Sequence, residues 1–95
     1  MVSRTMVING KNGLHLRPAG RISEAALRFR SEITLEYNEG LSTANARSVL
    51  SLLAAGLQEG DVVKLCCRGS DEKEALDAVA RAFSEETEAV PSRER

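Results

Sequence analysis

The residues with the clearest chemical potential lie in the segment "KNGLHLRPAG", positions 11 to 20, which contains the only histidine of the chain. A neutral imidazole is a nucleophile, and its unperturbed pKa of about 6.5 keeps much of it neutral near pH 7. Histidine is also one of the side chains that form covalent intermediates. Arg17 adds a permanent guanidinium, whose planar fork fits phosphate oxygens. Together His15 and Arg17 have the chemistry needed to capture a phosphoryl group.

The local sequence places this histidine at the start of a helix. Pro18 is tolerated in the first helical turn, where its missing N–H is not needed, and Gly13 lets the chain bend sharply just before it. Helix starts leave backbone N–H groups without partners and carry a partial positive charge. We therefore expect His15 at or beside the N-cap, next to amides that can bind an anion.

Other roles for a single histidine remain open at this point. Next to an arginine and a helix start, composition and spacing alone favour a capping or surface residue over phosphate handling. Metal binding is a third alternative. No further histidine or cysteine stands at a spacing typical of a zinc site, so no metal or other cofactor is expected.

Hydrophobic periodicity predicts four strands and three helices in the order β-α-β-β-α-β-α. The strands are expected at 5–9, 32–37, 41–46 and 61–67, and the helices at 18–30, 48–56 and 69–86. Clean alternation in the strands implies a sheet with one wet face, which the helices leave open. The fold class is therefore a two-layer α+β domain with three helices on one face of the sheet.

Individual side chains support these elements. The predicted inward-facing residues are Ile22, Ala25, Ala26 and Phe29 on the first helix, Ile33, Leu35 and Tyr37 on the second strand, Val49, Leu52 and Leu53 on the second helix, and Leu76, Val79, Ala80 and Phe83 on the third. Gly56 closes the second helix, and Ser70 or Asp71 caps the third. Residues 1–86 are expected to form the domain, and 87–95 a polar, flexible tail.

Bulk properties exclude several classes of protein. The chain has 95 residues, a net charge of −1 and 3% aromatic residues, so one aliphatic core is expected and nucleic-acid binding is disfavoured. The N-terminus has no apolar run long enough for a signal peptide or a membrane span. Cys66 and Cys67 are adjacent, which predicts two reduced thiols on opposite faces of a strand. We expect a cytoplasmic protein.

The run "NGLHLRPAG" resembles the active-site signature of the histidine-containing phosphocarrier (HPr) family of the phosphoenolpyruvate:sugar phosphotransferase system. "SEITLEYNEG", "ANARSVLSLLAAGLQEGD" and "SDEKEALDAV" are also similar to segments of that family, and the resemblance runs from about residue 5 to residue 83. It implies an open-faced β-sandwich, in which one face of a four-stranded antiparallel sheet is covered by three helices.

The resemblance also implies roles for individual residues. His15 matches the histidine that enzyme I phosphorylates on the pros nitrogen and that donates to the IIA domains of sugar permeases. Arg17 matches the arginine that steadies the phosphoryl group. The expected phosphate-binding positions are Asn12, Gly13, Leu16 and Pro18, although Leu16 departs from the small or hydroxylated residue common there. The protein would be a monomeric relay and not a stand-alone enzyme.

Ser48 has two interpretations. Serine before a helix is a good N-cap, and the same position resembles the regulatory serine that an HPr kinase/phosphorylase modifies in many relatives. A transcriptional regulator would then be a further partner. The methionines often found in the second helix of kinase-regulated relatives are absent. Two extra residues precede Ser48 relative to the usual spacing in the family.

The second helix also predicts a docking surface. Leu50 falls off the buried stripe of its helix, and beside Ala19 and Gly20 it would form an apolar patch near His15. Related proteins dock enzyme I and IIA through such a patch, so Val49, Leu50 and Leu53 are expected contacts. A regulatory module, acting through Ser48 or His15 without sugar transport, and the nitrogen-related branch of the same system remain alternatives.

Overall fold

The computed structural model describes residues 1–92. Its elements, in chain order, are β1 (Val2–Val7), α1 (Leu16–Ala26), β2 (Glu32–Tyr37), β3 (Ser42–Asn45), α2 (Val49–Ala54), β4 (Val62–Arg68), α3 (Glu72–Thr87) and β5 (Val90–Pro91). The strands form one antiparallel sheet in the order β3-β2-β4-β1-β5. No helix in this part of the chain is both long and apolar enough to cross a bilayer.

Strand register determines which side chains face the helices. Leu65 of β4 lies opposite Leu35 of β2, and Val63 lies opposite Met6 of β1. These four side chains are buried and belong to one hydrophobic cluster with Ile22, Leu52, Val79 and Phe83 from the three helices. The other face of the sheet carries no helix. The predicted α+β architecture, with an open antiparallel sheet and three helices on one face, is thus confirmed, with a short fifth strand added.

The first helix begins earlier than predicted. It starts at Leu16 and ends at Ala26, whereas 18–30 was expected. Proline is therefore its third residue, and the buried stripe of the observed helix consists of Ala19, Ile22, Ser23 and Ala26. That spacing is the i, i+3, i+4, i+7 pattern of a helix face that packs on a core.

The segment after residue 86 differs from the predicted solvated tail. The third helix continues to Thr87, and Val90 and Pro91 pair with Val7 and Met6 of β1. Ala89, which lies between the end of α3 and β5, is buried at 3% exposure. The sequence pattern missed β5 because two residues are too short to show alternation. Residues 93–95 of the predicted tail lie outside the described residues.

The adjacent cysteines are unbonded and occupy opposite faces of β4, as expected. Cys67 is in the core, where burial, followed by the charge of Cys66, raises the pKa of its thiol to about 11. Cys66 lies on the helix-free face, with its Sγ 3.7 Å from Glu36 Oε2. Burial first and the neighbouring Glu36 second raise the pKa of this thiol as well.

Asp71 is the N-cap residue of α3, yet its carboxylate does not cap the helix. It accepts hydrogen bonds from the backbone N–H groups of Arg30 (2.9 Å) and Ser31 (3.0 Å), and from the Ser31 hydroxyl. The bond from the Ser31 hydroxyl, then that from the Arg30 amide, lowers the pKa of the Asp71 carboxyl. Asp71 therefore ties the connection between α1 and β2 to the start of α3.

Candidate functional site

His15 is the N-cap residue of α1. Its backbone is extended (φ −100°, ψ −170°), and its carbonyl accepts a hydrogen bond from the Ala19 N–H at 2.9 Å. The imidazole is exposed and makes no capping hydrogen bond. Within the described residues neither ring nitrogen makes a hydrogen bond or an ion pair. The capping role that the sequence left open therefore does not apply to this exposed side chain.

The helix start beside His15 presents unused backbone donors. The first helical residues are Leu16 and Arg17, and neither of their N–H groups donates a hydrogen bond to any residue of the described range. Pro18 has no N–H to donate. Two amides and the positive end of the helix dipole therefore lie next to the imidazole, an arrangement that favours an anion.

Arg17 supplies the charge at this site. Its side chain is exposed, and the ion pairs found among residues 1–92 join the N-terminus with Glu72 and Arg4 with Asp77. The guanidinium is thus not engaged by a carboxylate. His15, Arg17 and the two amides thus lie within three consecutive residues at the start of α1.

The loop before the histidine is held by backbone contacts. Gly13 has φ +60°, and a Cβ there would lie 2.5 Å from the Leu57 carbonyl oxygen and 2.7 Å from Gln58 Cα. The next residue, Leu14, is buried and donates its N–H to the same Leu57 oxygen at 3.0 Å. Asn12 is exposed in this loop. Glycine at 13 is therefore required both by conformation and by close packing.

The expected docking residues divide into two groups. Leu50 is 79% exposed and Leu16 is 67% exposed. Gly20, Val49 and Leu53 are half-buried, so each retains some surface. Ala19 is fully buried at 0%, and its assignment to the docking surface is wrong. Ala19 precedes Ile22 by three residues and therefore shares the buried face of α1.

Ser48 is the N-cap residue of α2. Its Oγ accepts a hydrogen bond from the Ser51 N–H at 3.1 Å, and its carbonyl accepts one from the Leu52 N–H at 3.0 Å. The side chain is half-buried. The N-cap interpretation is confirmed. Gly56, two residues after the end of α2, has φ +64° and fills the expected C-terminal glycine position.

A hydrogen bond that the sequence did not reveal connects the two candidate regions. The hydroxyl of Ser23, on the buried face of α1, donates to the Arg47 carbonyl at 3.0 Å. Arg47 immediately precedes Ser48. The only available signal was a serine at a core position of the α1 stripe, since a buried hydroxyl needs an acceptor.

Neither a metal cluster nor the groove beside the β2–β3 turn coincides with this site in the described part of the chain. In residues 1–92, no group of three or more histidine, cysteine or acidic side chains could hold a metal ion. A groove of about 1030 Å³ lies between the β2–β3 turn and the loop before β4, and its lining does not include His15 or Ser48. The candidate site is a surface site, open to a macromolecular partner.

Comparison with known proteins identifies the family of this chain. The family described as "PTS HPr component phosphorylation site" matches residues 2–85. The phosphocarrier protein HPr of Buchnera aphidicola is 33% identical over 85 residues, covering 90% of this chain and 98% of the relative. The chain belongs to the HPr family.

Two further proteins are similar to this chain over most of its length. The phosphocarrier protein NPr of Proteus mirabilis is 35% identical over 80 residues, covering 84% of this chain and 88% of the relative. The crystal structure of HPr from Thermoanaerobacter tengcongensis superposes with a TM-score of 0.83 at 34% identity, covering 93% of this chain and 97% of that one. The protein is a phosphocarrier of the HPr and NPr type.

Proposed function

We propose that His15 accepts a phosphoryl group from phosphorylated enzyme I and passes it to IIA domains of sugar permeases. The observation that carries this proposal is the exposed imidazole of His15, which makes no capping hydrogen bond. It lies beside the backbone N–H groups of Leu16 and Arg17, which donate no hydrogen bond within the described residues. In such a relay the protein is a stoichiometric carrier, acting in the cytoplasm as a monomer and needing no cofactor.

The chemistry is a displacement at phosphorus. The lone pair of neutral His15 Nδ1 attacks the phosphoryl group, a P–N bond forms, and the bond between phosphorus and the donor breaks. The second ring nitrogen keeps its proton throughout. Because phosphoryl transfer depends mainly on positioning and charge stabilisation, Arg17 and the first-turn amides would hold the phosphoryl oxygens. In a second displacement, a nucleophile of the next carrier attacks phosphorus, the P–N bond breaks, and the electron pair returns to Nδ1 of neutral His15.

The partner surface in this proposal surrounds the histidine. Leu16 and Leu50 are the exposed large apolar side chains of α1 and α2, and the Ser23–Arg47 hydrogen bond joins α1 to the residue before the N-cap of α2. Gly20, Val49 and Leu53 add half-buried surface. Enzyme I and IIA domains would contact this surface in turn, since both must reach the same exposed ring.

Incubation with phosphoenolpyruvate and purified enzyme I tests the proposal. We expect an acid-labile, base-stable adduct that maps to His15 by mass spectrometry. His15→Ala should abolish the adduct, and Ser48→Ala should leave it unchanged. An adduct that persists in His15→Ala, or no adduct on the unmodified protein, would contradict the assignment.

A second candidate function is regulatory, and two observations favour it. Ser48 lies at a helix N-terminus, where a phosphate is electrostatically tolerated. The relative from Proteus mirabilis carries the name NPr, which indicates that the nitrogen-related branch falls within the range of similarity. In this case the phosphorylation state of Ser48 or His15 would control a kinase, a permease or a transcriptional regulator.

Two assays separate the candidates. Incubation with ATP and an HPr kinase/phosphorylase should label Ser48 if the regulatory arm exists, and Ser48→Ala is the control. Transfer from the phosphorylated protein to a panel of sugar-specific and nitrogen-branch IIA domains identifies the branch. Fast transfer to sugar IIA domains supports the leading proposal, whereas transfer confined to nitrogen-branch domains supports the alternative.

A further inference from the structure

The segment that follows α3 contacts the chain just upstream of the histidine. We call residues 87–92 the exit segment. The Thr87 carbonyl accepts hydrogen bonds from the N–H groups of Asn9 (3.3 Å) and Gly10 (2.6 Å). Val90 and Pro91 pair with the end of β1, and the Ser92 N–H donates to the Thr5 carbonyl at 2.9 Å. The exit segment lies beyond residues 2–85, the range matched by the HPr family.

These contacts continue toward the site through the backbone. The Gly10 carbonyl accepts the Gly13 N–H at 3.0 Å and closes a turn, and Leu14 is then fixed to Leu57. His15 follows directly. The loop between β1 and α1 is therefore held at one end by α3 and at the other by the turn before β4. Its shape depends on both.

The contact between Gly10 and Thr87 is closely packed. A Cβ at Gly10 would lie 2.9 Å from the Thr87 oxygen and 3.2 Å from the Thr87 carbonyl carbon. Thr87 is itself buried at 1% exposure, and its hydroxyl donates to the Phe83 carbonyl at 2.7 Å. The Ser84 hydroxyl donates to the Ala89 carbonyl at 2.9 Å and holds the next residues.

We propose that the exit segment is a positioning element for phosphoryl transfer, and that Thr87 and Gly10 are positioning residues. They act on His15 through the loop backbone and do not touch the phosphoryl group. The inference rests on the proposed role of His15 as acceptor. Displacement of a reacting group by about 1 Å can reduce a rate roughly a hundredfold. A loop that no longer holds His15 in place would therefore lower the rate of phosphoryl transfer.

A matched pair of variants at an exposed position provides the test. Glu88 has φ +54°, a conformation that glycine accepts and proline forbids. Glu88→Pro also disfavours the helical conformation of Thr87, so its carbonyl should turn away from Asn9 and Gly10. Glu88→Gly should keep the exit segment in place. Gly10→Ala should disrupt the same contact from the loop side, because its Cβ would lie too close to the Thr87 carbonyl.

Two measurements on folded protein decide the outcome. Single-turnover transfer from phosphorylated enzyme I should fall roughly fivefold to a hundredfold in Glu88→Pro and Gly10→Ala, and stay near wild type in Glu88→Gly. NMR titration should show shifted His15 ring signals in the two slow variants. Ile33→Val, a core change on β2, controls for lost stability and should leave both readouts unchanged.

The possible results remain distinguishable. Equal transfer rates and identical His15 signals in Glu88→Pro, Glu88→Gly and Gly10→Ala would overturn the inference. Loss of both readouts in Ile33→Val would also overturn it, because the effects would then reflect stability alone. If the unmodified protein takes no phosphoryl group, the proposed function fails, and the His15 titration in the variants still tests the positioning.

Discussion

The N–H of Leu14 donates a hydrogen bond to the carbonyl of Leu57 at 3.0 Å. This bond fixes the residue immediately before the N-cap histidine to the turn that leads into β4. The same carbonyl oxygen lies where a side chain at position 13 would have to go. The loop therefore reaches the helix start by a path that only glycine permits.

Gly13 and Gly56 form a matched pair for testing this path. Both have φ near +60°, but a Cβ at Gly56 would meet nothing within 4 Å, whereas one at Gly13 would overlap the backbone of Leu57 and Gln58. Gly56→Ala should cost about 1–2 kcal/mol from conformation alone. Gly13→Ala should cost about 2–4 kcal/mol. Urea unfolding measures both, and equal losses would show that the overlap relaxes without cost.

Arg17 is expected to act on transfer and not on folding. Arg17→Glu should slow phosphorylation of His15 roughly tenfold to a thousandfold, because it removes the positive charge that stabilises the negative phosphoryl oxygens. The free energy of unfolding should change by less than about 0.5 kcal/mol, since the side chain is exposed. Arg28→Glu makes the same change in net charge at another exposed position. If both variants transfer equally slowly, overall charge is the cause.

Ser48 contributes to stability through its cap. Ser48→Ala should lower the free energy of unfolding by about 0.5–2 kcal/mol, because it leaves the Ser51 N–H without its acceptor. Ser48→Asp restores an acceptor at a favourable position and should recover most of the loss. Ser70→Ala, at an exposed serine outside the helices, serves as the control in denaturant titrations. No loss in Ser48→Ala would contradict the cap.

Asp71 should affect acid stability. Its pKa is lowered from the ordinary 3.8 by hydrogen bonds from Ser31 and Arg30. A carboxyl with a lowered pKa in the folded state stabilises the protein above its ordinary pKa, and this contribution is lost as pH falls through the lowered value. Asp71→Asn should therefore reduce Tm at pH 7 and flatten the decline of Tm below pH 4.

The control for this experiment is Asp77→Asn. Asp77 makes only an exposed ion pair with Arg4 at 3.1 Å, and such pairs contribute little. Thermal unfolding followed by circular dichroism from pH 7 to pH 2 compares the three proteins. Parallel Tm curves for wild type and Asp71→Asn would contradict the linkage.

Local pattern predicted the three helices, four of the five strands and the position of the histidine near a helix start. The β2 strand was predicted at its observed bounds because Ile33 and Leu35 alternate with polar residues. Gly13 and Pro18 placed His15 at or beside the N-cap, although the helix begins two residues before the predicted start. Tyr37 and Phe29 were expected in the core and are half-buried. Both stand at the end of their predicted element, where the neighbours that would cover a side chain are fewer.

Long-range backbone contacts could not be predicted in this way. The pairing of Val90 with Val7 and the contact of Thr87 with Gly10 join residues far apart in sequence, through groups that every residue carries. Ala19 shows a different limit. It stands three residues before Ile22 and therefore lies on the same buried face of α1, but the predicted stripe began only at Ile22.

The placement of the two cysteines has a practical benefit for fluorescence work. Maleimide dyes react with the thiolate, and burial keeps the pKa of both Cys66 and Cys67 above its ordinary value. A thiol introduced at a well-exposed position, such as Leu41→Cys where the native side chain is 81% exposed, should therefore take the dye first at neutral pH. Energy-transfer distances to a labelled partner are then accessible with both native cysteines left in place.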